Sequence, residues 1–228
     1  MSDVPTVRVV CLANSRKLHG RCIAGIEWDG QAAGRWIRPV SDREHEEVSE
    51  EERRFQNGAD PKLLDIISIP FLRAKPNGHQ VENVLLNPEY YWKLEGHLSV
   101  SELARFPIEA GHLWINGVHT NAGENDQIPV AQLTTIQSSL CLIKVESIKF
   151  DVCAPGAAFN NPKRRVRGHF KHNGEKYALW VTDPTIEREY LAFENGYYAS
   201  GPAYITISLG EPFNAHSQKL IAAVIRIT

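Results

Sequence analysis

The sequence is short of most features that mark secreted, membrane-spanning or zinc-binding proteins. Its 228 residues include only four cysteines, and these form no CxxC pair. That pattern argues against a disulfide framework or a zinc site and favours free thiols in a reducing cytoplasm. No apolar run approaches the roughly 20 residues that span a bilayer. The N-terminus also lacks the basic and then apolar segments of a secretory signal. We therefore expect a cytoplasmic protein with no membrane partner.

Familiar catalytic patterns are missing as well. The chain contains no GxGxxG, Walker A or HExxH motif. Ser208 lacks the GxSxG frame of a nucleophile elbow, and the carboxylates do not cluster into an evident two-metal site. These absences favour a protein that is not an enzyme and needs no cofactor or metal. A nuclease or hydrolase built from scattered residues stays open, with His19 or His79 as its general base.

Charge is nearly balanced over the whole chain but is unevenly distributed. The formal net charge is −2. Residues 42–60 are rich in glutamate, whereas residues 163–176 are rich in lysine and arginine. A local basic stripe can bind phosphates even when the complete chain is slightly acidic.

Short strands dominate the expected secondary structure, because runs rich in Val, Ile and aromatic residues alternate with turn residues. Such a pattern predicts a β-rich α+β fold of small barrels or sandwiches. The predicted strands are Val7–Ala13, Arg21–Trp28, Arg35–Val40, Leu63–Arg73, Gln80–Leu86, Leu140–Asp151, Arg165–Lys171, Lys176–Thr182, Ala203–Leu209 and Lys219–Ile227.

Turn and cap signals complete this outline. The Asn173-Gly174 pair predicts a hairpin between two of the strands. Short helices are expected after Ser49, Ser99 and Asp183. The first of them is expected to end at Gly58. The stretch 116–130 is the least structured, so we place the domain boundary there. The expected domains are residues 1–130 and residues 131–228, each a β-rich unit.

The first group of candidate binding residues lies in a polar loop expected between the first two strands. Backbone N–H groups, hydroxyls and cations in such a loop can surround a phosphate. The alternative is an ordinary solvated hairpin loop. The candidates are Asn14, Ser15, Arg16, Lys17, His19 and Arg21.

The third strand adds Trp36 and Arg38, which share one face because side chains alternate along a strand. Trp36 could stack on a base, and Arg38 could pair with a phosphate or a base edge. Alternatively, Trp36 belongs to the core and Arg38 pairs with a carboxylate such as Asp65.

A polar run further along supplies His79, Gln80 and Asn83, whose side chains could hydrogen-bond base edges. The alternative is a turn whose side chains satisfy its own backbone. His79 and Glu82 are too few ligands for a metal ion.

Strand alternation also places Arg165 and Arg167 on one face of a strand, together with His169. This face is cationic enough to track a phosphate backbone. The alternative is a solvated edge whose charges prevent aggregation.

Eight segments, taken in order, carry a resemblance to a known family: Cys11–Lys17, Gly20–Gly25, Trp36–Ser41, Pro61–Ile66, His79–Asn83, Val181–Pro184, Ile207–Gly210 and Lys219–Ala223. They resemble the dual OB-containing domain family of bacteria and their mobile elements. The resemblance implies two OB-like barrels in tandem and a nucleic-acid-binding role in bacterial defence against phage or mobile elements.

Two binding hypotheses therefore stand beside the enzymatic one. The first is a non-catalytic module that grips single-stranded DNA or RNA. The second is a sensor that encloses a small nucleotide or modified base in a pocket formed by Ser15, His79, Gln80 and Asn83. No feature of the sequence identifies an effector protein partner.

Overall fold

The computed structural model describes residues 4–227, which form two compact units. Unit 1 contains the described residues up to Pro107 together with Gln137–Ser139. Unit 2 contains Ile108–Ile136 and the described residues from Leu140 onward. Residues 108–130 thus group with unit 2, and the division into domains 1–130 and 131–228 stays a prediction.

Unit 1 contains six strands, one short α-helix and one 3-10 helix. The strands are β1 (Thr6–Lys17), β2 (Gly20–Trp28), β3 (Ala33–Val40), β4 (Asp65–Ala74), β5 (Asn83–Leu86) and β6 (Lys93–His97). Helix α1 spans Glu50–Arg53, and the 3-10 helix spans Val100–Arg105.

Five of these strands close into a barrel. They follow the order β1-β2-β3-β5-β4, and β4 pairs back onto β1. The β3–β5 pair is parallel, whereas the remaining pairs of the barrel are antiparallel. This closed five-stranded Greek-key path is that of an OB-fold. Alternate residues such as Val9, Ile23, Ile37 and Ile67 point inward and form its core.

Unit 2 contains eight strands, one α-helix and two 3-10 helices. The strands are β7 (Gln127–Pro129), β8 (Leu140–Val145), β9 (Ile148–Cys153), β10 (Arg165–His172), β11 (Glu175–Val181), β12 (Gly196–Ser200), β13 (Ala203–Leu209) and β14 (His216–Arg226). Helix α2 spans Pro184–Leu191, and the 3-10 helices span Val130–Thr135 and Ala157–Phe159.

The strands of unit 2 follow the same path as those of unit 1. Their order is β9-β10-β11-β14-β13-β8, with the β11–β14 pair parallel. Strands β8 and β9 are separated only by Glu146 and Ser147. Strand β8 pairs with β13, and β9 pairs with β10. Strands β8 and β9 together therefore occupy the position that β1 has in unit 1. The prediction of two OB-like barrels with few short helices is therefore confirmed.

The cap and turn signals of the sequence correspond to real helix starts and a real turn. Ser49 and Asp183 cap their helices, and the Asn173-Gly174 turn has positive φ at both residues. Helix α1 ends at Arg53, whereas the sequence predicted a helix that continues to Gly58.

The expected polar loop at residues 14–21 is instead a continuation of the first hairpin. Ser15 pairs with Cys22 and Arg16 with Arg21, so only Leu18 and His19 remain as the turn. The polar side chains are accommodated in the strand because Asn14 Nδ2 donates to the Pro61 carbonyl and Ser15 Oγ to the Cys22 carbonyl. The loop prediction was wrong for this reason.

Candidate functional site

The hairpin tip of unit 1 carries a concentration of basic side chains. Arg16 and His19 are exposed, whereas Lys17 and Arg21 are half-buried. Their neighbours Asn14 and Ser15 are half-buried and buried, respectively, and bond to backbone carbonyls. Only part of this candidate group therefore faces solvent. We call Arg16, Lys17, His19 and Arg21 the hairpin tip.

Arg38 lies in a buried polar network rather than on an open surface. It is 2% exposed, and its Nη2 lies 3.4 Å from the Glu82 carboxylate. Its Nη1 donates to Asn83 Oδ1 at 3.4 Å. Asp65, the partner considered from the sequence, lies instead 3.0 Å from His97 Nδ1. Arg38 thus stabilises the start of β5 from the neighbouring strand.

The other candidates of this network are also withdrawn from solvent. His79, Gln80 and Asn83 are buried, and Asn83 Nδ2 donates to Gln80 Oε1 at 3.4 Å. The outward-facing Ile26 of β2 is buried as well, while its cross-strand partner Trp36 is half-buried. On this face, Trp36 is therefore the candidate that keeps partial access to solvent.

Unit 2 presents a different surface on the corresponding strands. Strand pairing aligns Tyr197, Asp151, Arg167 and Trp180 in one row across β12, β9, β10 and β11. The next row on the same face contains Lys149 and His169. An aromatic and cationic surface four strands wide results. We call Lys149, Arg165, Arg167, His169, Trp180 and Tyr197 the basic face.

Cations and aromatic rings are in contact on the basic face. The guanidinium carbons of Arg165 and Arg167 lie 4.0 and 3.9 Å from the Trp180 ring centre. Lys149 Nζ lies 4.6 Å from the Tyr197 ring centre. Tyr197 is 61% exposed, so the face offers an accessible aromatic side chain. Stacking rings among cations suit a ligand with planar bases and phosphates.

Arg167 has a positioning role within this surface. It is 2% exposed, its Nη1 donates to the Ala178 carbonyl at 3.1 Å, and it lies 3.6 Å from Asp126 Oδ2. Asp126 is itself fixed by the backbone N–H and the hydroxyl of Thr120. This chain of contacts holds the Arg167 guanidinium against Trp180. Arg165 is half-buried and lies nearer to solvent.

The surroundings of His169 disfavour its charged form. Burial lowers the pKa of its imidazole below the usual value, and the nearby Asp151 carboxylate opposes this shift. The positive charges of Arg167 and Lys149 lower the pKa further. His169 can therefore accept a proton when an anion approaches the face.

Two loops of unit 2 each expose an aromatic side chain. The β9–β10 loop carries Phe159, which is 84% exposed, and the β13–β14 loop carries Phe213, which is 71% exposed. In an OB-fold the loops at these two positions bind oligonucleotides together with the face of the second and third strands. The basic face and both loops therefore occupy the ligand-binding positions of the fold.

Sequence reasoning found Arg165 and Arg167 but missed their aromatic partner. The Asn173-Gly174 turn fixes the register of the hairpin, which places Trp180 opposite Arg167. Counting outward from the turn would have identified Trp180. Tyr197 and Lys149 had no comparable local signal, because their proximity depends on the pairing of β12 with β9.

Within residues 4–227, no three His, Cys, Asp or Glu side chains gather in a way that could hold a metal ion. No described helix has the length and apolar character needed to cross a bilayer.

Comparison with known proteins identifies one family. The family model for the dual OB-containing domain matches residues 7–224, which is nearly the whole chain. No curated protein and no solved structure shows significant similarity to the chain.

Proposed function

The chain belongs to the dual OB-containing domain family, and we propose that it is a non-catalytic module that binds single-stranded DNA or RNA. The observation that carries this proposal is the basic face of unit 2, where Arg165 and Arg167 contact Trp180 on the strands that bind ligands in OB-folds.

The chemistry of the basic face suits a single strand better than a duplex. Bases of a single strand are free to stack on aromatic rings and guanidinium planes. The exposed Tyr197 and the half-buried Arg165 supply such planes. Lys149 supplies a positive charge for the phosphates. Recognition by stacking and charge is tolerant of sequence, because every base has a π-face.

The hairpin tip of unit 1 is proposed as a second contact with the nucleic acid. The positive charges of Arg16, Lys17 and Arg21 are complementary to a phosphate ligand. The remaining candidates of unit 1 support strands and loops rather than touch the ligand in our proposal, because most are buried or half-buried. They are Asn14, Ser15, Trp36, Arg38, His79, Gln80 and Asn83.

The cellular setting is part of the same proposal. All four cysteines are free, which suits a reducing cytoplasm. On the family resemblance we place the module in bacterial defence against phage or mobile elements.

Fluorescence anisotropy with labelled single-stranded DNA and RNA tests the proposed function. Arg165→Ala should weaken binding roughly tenfold, since contacts between cations, bases and phosphates are lost. Arg188→Ala is the matched control, because Arg188 is an exposed arginine on α2 outside the basic face. Equal affinities for the two variants would contradict the assignment of the face.

A mononucleotide screen by thermal shift distinguishes the sensor hypothesis. Stabilisation by mononucleotides without any oligonucleotide affinity would replace our proposal with that alternative.

A further inference from the structure

A groove of about 900 Å³ opens in unit 2 near the β8–β9 break and the β10–β11 turn. Lysines from four different strands line it, namely Lys144, Lys149, Lys171 and Lys176. Glu124 and Glu146 also line the groove, so its lysines outnumber its carboxylates by two to one. The groove shares Lys149 and His169 with the basic face and continues from it.

The four lysines of this groove exceed its two carboxylates in charge. Lys171 and Lys176 lie directly opposite each other on β10 and β11. Like charges in directly opposite positions destabilise a sheet. Among the described residues, no carboxylate lies within ion-pair distance of Lys144, Lys171 or Lys176. An anionic ligand would remove the repulsion between these lysines.

Two aromatic rings and a histidine with an unsatisfied nitrogen also line the groove. Phe170 and Tyr177 line it, with stacked rings whose centres lie 5.4 Å apart. His172 also lines it and is 9% exposed, and its buried Nε2 has no hydrogen-bond partner in the described structure. A groove lined by lysines and aromatic rings suits a phosphate attached to an organic group.

We infer that this groove binds a nucleotide unit bearing a terminal phosphate monoester, as found at the phosphorylated end of a nucleic-acid strand. The inference rests on the proposed function, because the basic face would deliver that strand end to the groove. A phosphate monoester carries a charge of about −1.5 to −2 at pH 7. An internal phosphodiester carries one negative charge, so a groove lined by four lysines favours the monoester.

The extent of the basic surface is compatible with this arrangement. Arg165, Arg167, His169 and Lys171 alternate along the outward side of β10, and the six-residue step from the first to the last spans about 20 Å. A strand lying along this row would reach the groove at the Lys171 end.

The test compares oligonucleotides of one sequence that carry a 5′-phosphate, a 3′-phosphate or hydroxyls at both ends, in anisotropy measurements on the full chain. Two or three new exposed ion pairs predict a preference of roughly tenfold for one phosphorylated end. The double variant K171A/K176A should lose most of that preference. The control double variant K62A/K93A removes the same charge from exposed lysines of unit 1 and should keep it.

The outcomes separate this inference from the proposed function. If the protein binds all three oligonucleotides equally well, the groove assignment is wrong while the binding function stands. If no oligonucleotide binds, both are wrong. A third arm adds a nucleoside 5′-monophosphate as competitor. The monophosphate could bind in a manner that depends on Lys171 and Lys176 while the three oligonucleotides bind with equal affinity. In that case the ligand of the groove is a free nucleotide, and the assignment to a strand end is overturned.

Discussion

The guanidinium carbon of Arg167 lies 3.9 Å from the ring centre of Trp180, its directly opposite partner on the neighbouring strand. Arg167 is almost completely buried and is held by Asp126 and a backbone carbonyl. The tryptophan ring is therefore packed against a side chain that is itself fixed in place. This arrangement prepares the basic face before any ligand arrives, which lowers the entropy cost of binding.

Asp126→Asn should destabilise the protein, because it removes the carboxylate that Arg167 and Thr120 share. Loss of one partner from a buried ion pair typically costs about 3 kcal/mol. Urea denaturation measures this change in the free energy of unfolding. Glu189→Gln is the control, since it breaks the exposed Arg226–Glu189 pair and should cost less than about 1 kcal/mol. Equal losses in the two variants would disprove the role given to Asp126.

Tyr197→Ala should weaken single-strand binding while leaving stability nearly unchanged, because the side chain is 61% exposed. Loss of one stacked base costs about 1–3 kcal/mol, or roughly tenfold in affinity. Tyr90→Ala, at an exposed tyrosine of unit 1, serves as the control in the same anisotropy assay. An unchanged affinity for Tyr197→Ala would exclude stacking at this position.

The pH dependence of binding should report on His169. Its pKa is lowered in the free protein, chiefly by burial, and a nearby phosphate would raise that pKa in the complex. The complex then binds an extra proton, so affinity should increase as the pH falls through the range in which this imidazole titrates. Anisotropy titrations between pH 5 and 8 measure the slope.

His169→Gln should reduce that slope, whereas His119→Gln, at an exposed histidine of unit 2, should preserve it. The same slope in wild type and His169→Gln would show that another group takes up the proton.

Because Lys219 is buried, we expect the protein to become more stable against unfolding as the pH rises into the alkaline range. Its Nζ donates to the Ile115 carbonyl at 2.7 Å, and burial lowers the pKa of its ammonium from 10.5 to about 8. Between these values the unfolded chain holds a proton that the folded chain has lost. Stability should therefore rise from about pH 8 to about pH 10.5, by up to about 3 kcal/mol from this group.

Urea denaturation across that range, compared with Lys219→Met, isolates the contribution of Lys219. The difference between wild type and variant should shift in favour of wild type as the pH rises. A difference that stays constant with pH would contradict the lowered pKa.

Much of the barrel topology was accessible from sequence because the strands are short, apolar and well punctuated. The Asn173-Gly174 turn even fixed the register of the β10–β11 hairpin. The break between β8 and β9 was not visible, since Glu146 and Ser147 interrupt a run that otherwise reads as one strand. This break arises because β8 pairs with β13 whereas β9 pairs with β10.

Site residues were harder to predict than strands, because alternation gives the face of a side chain but not what covers that face. Arg38 and Arg167 were both expected on ligand-binding faces, yet each is 2% exposed. Their buried partners, Glu82 and Asp126, are distant in sequence and carry no local signal. Tertiary pairing therefore decided which arginines remain near the surface.

The most direct test of nucleic-acid binding is fluorescence anisotropy of the wild-type protein with single-stranded DNA, single-stranded RNA and duplex across a salt series. We predict preferential single-strand binding whose affinity falls steeply with salt, with a slope that counts the phosphate contacts. No measurable binding to any of the three at low salt would contradict the account.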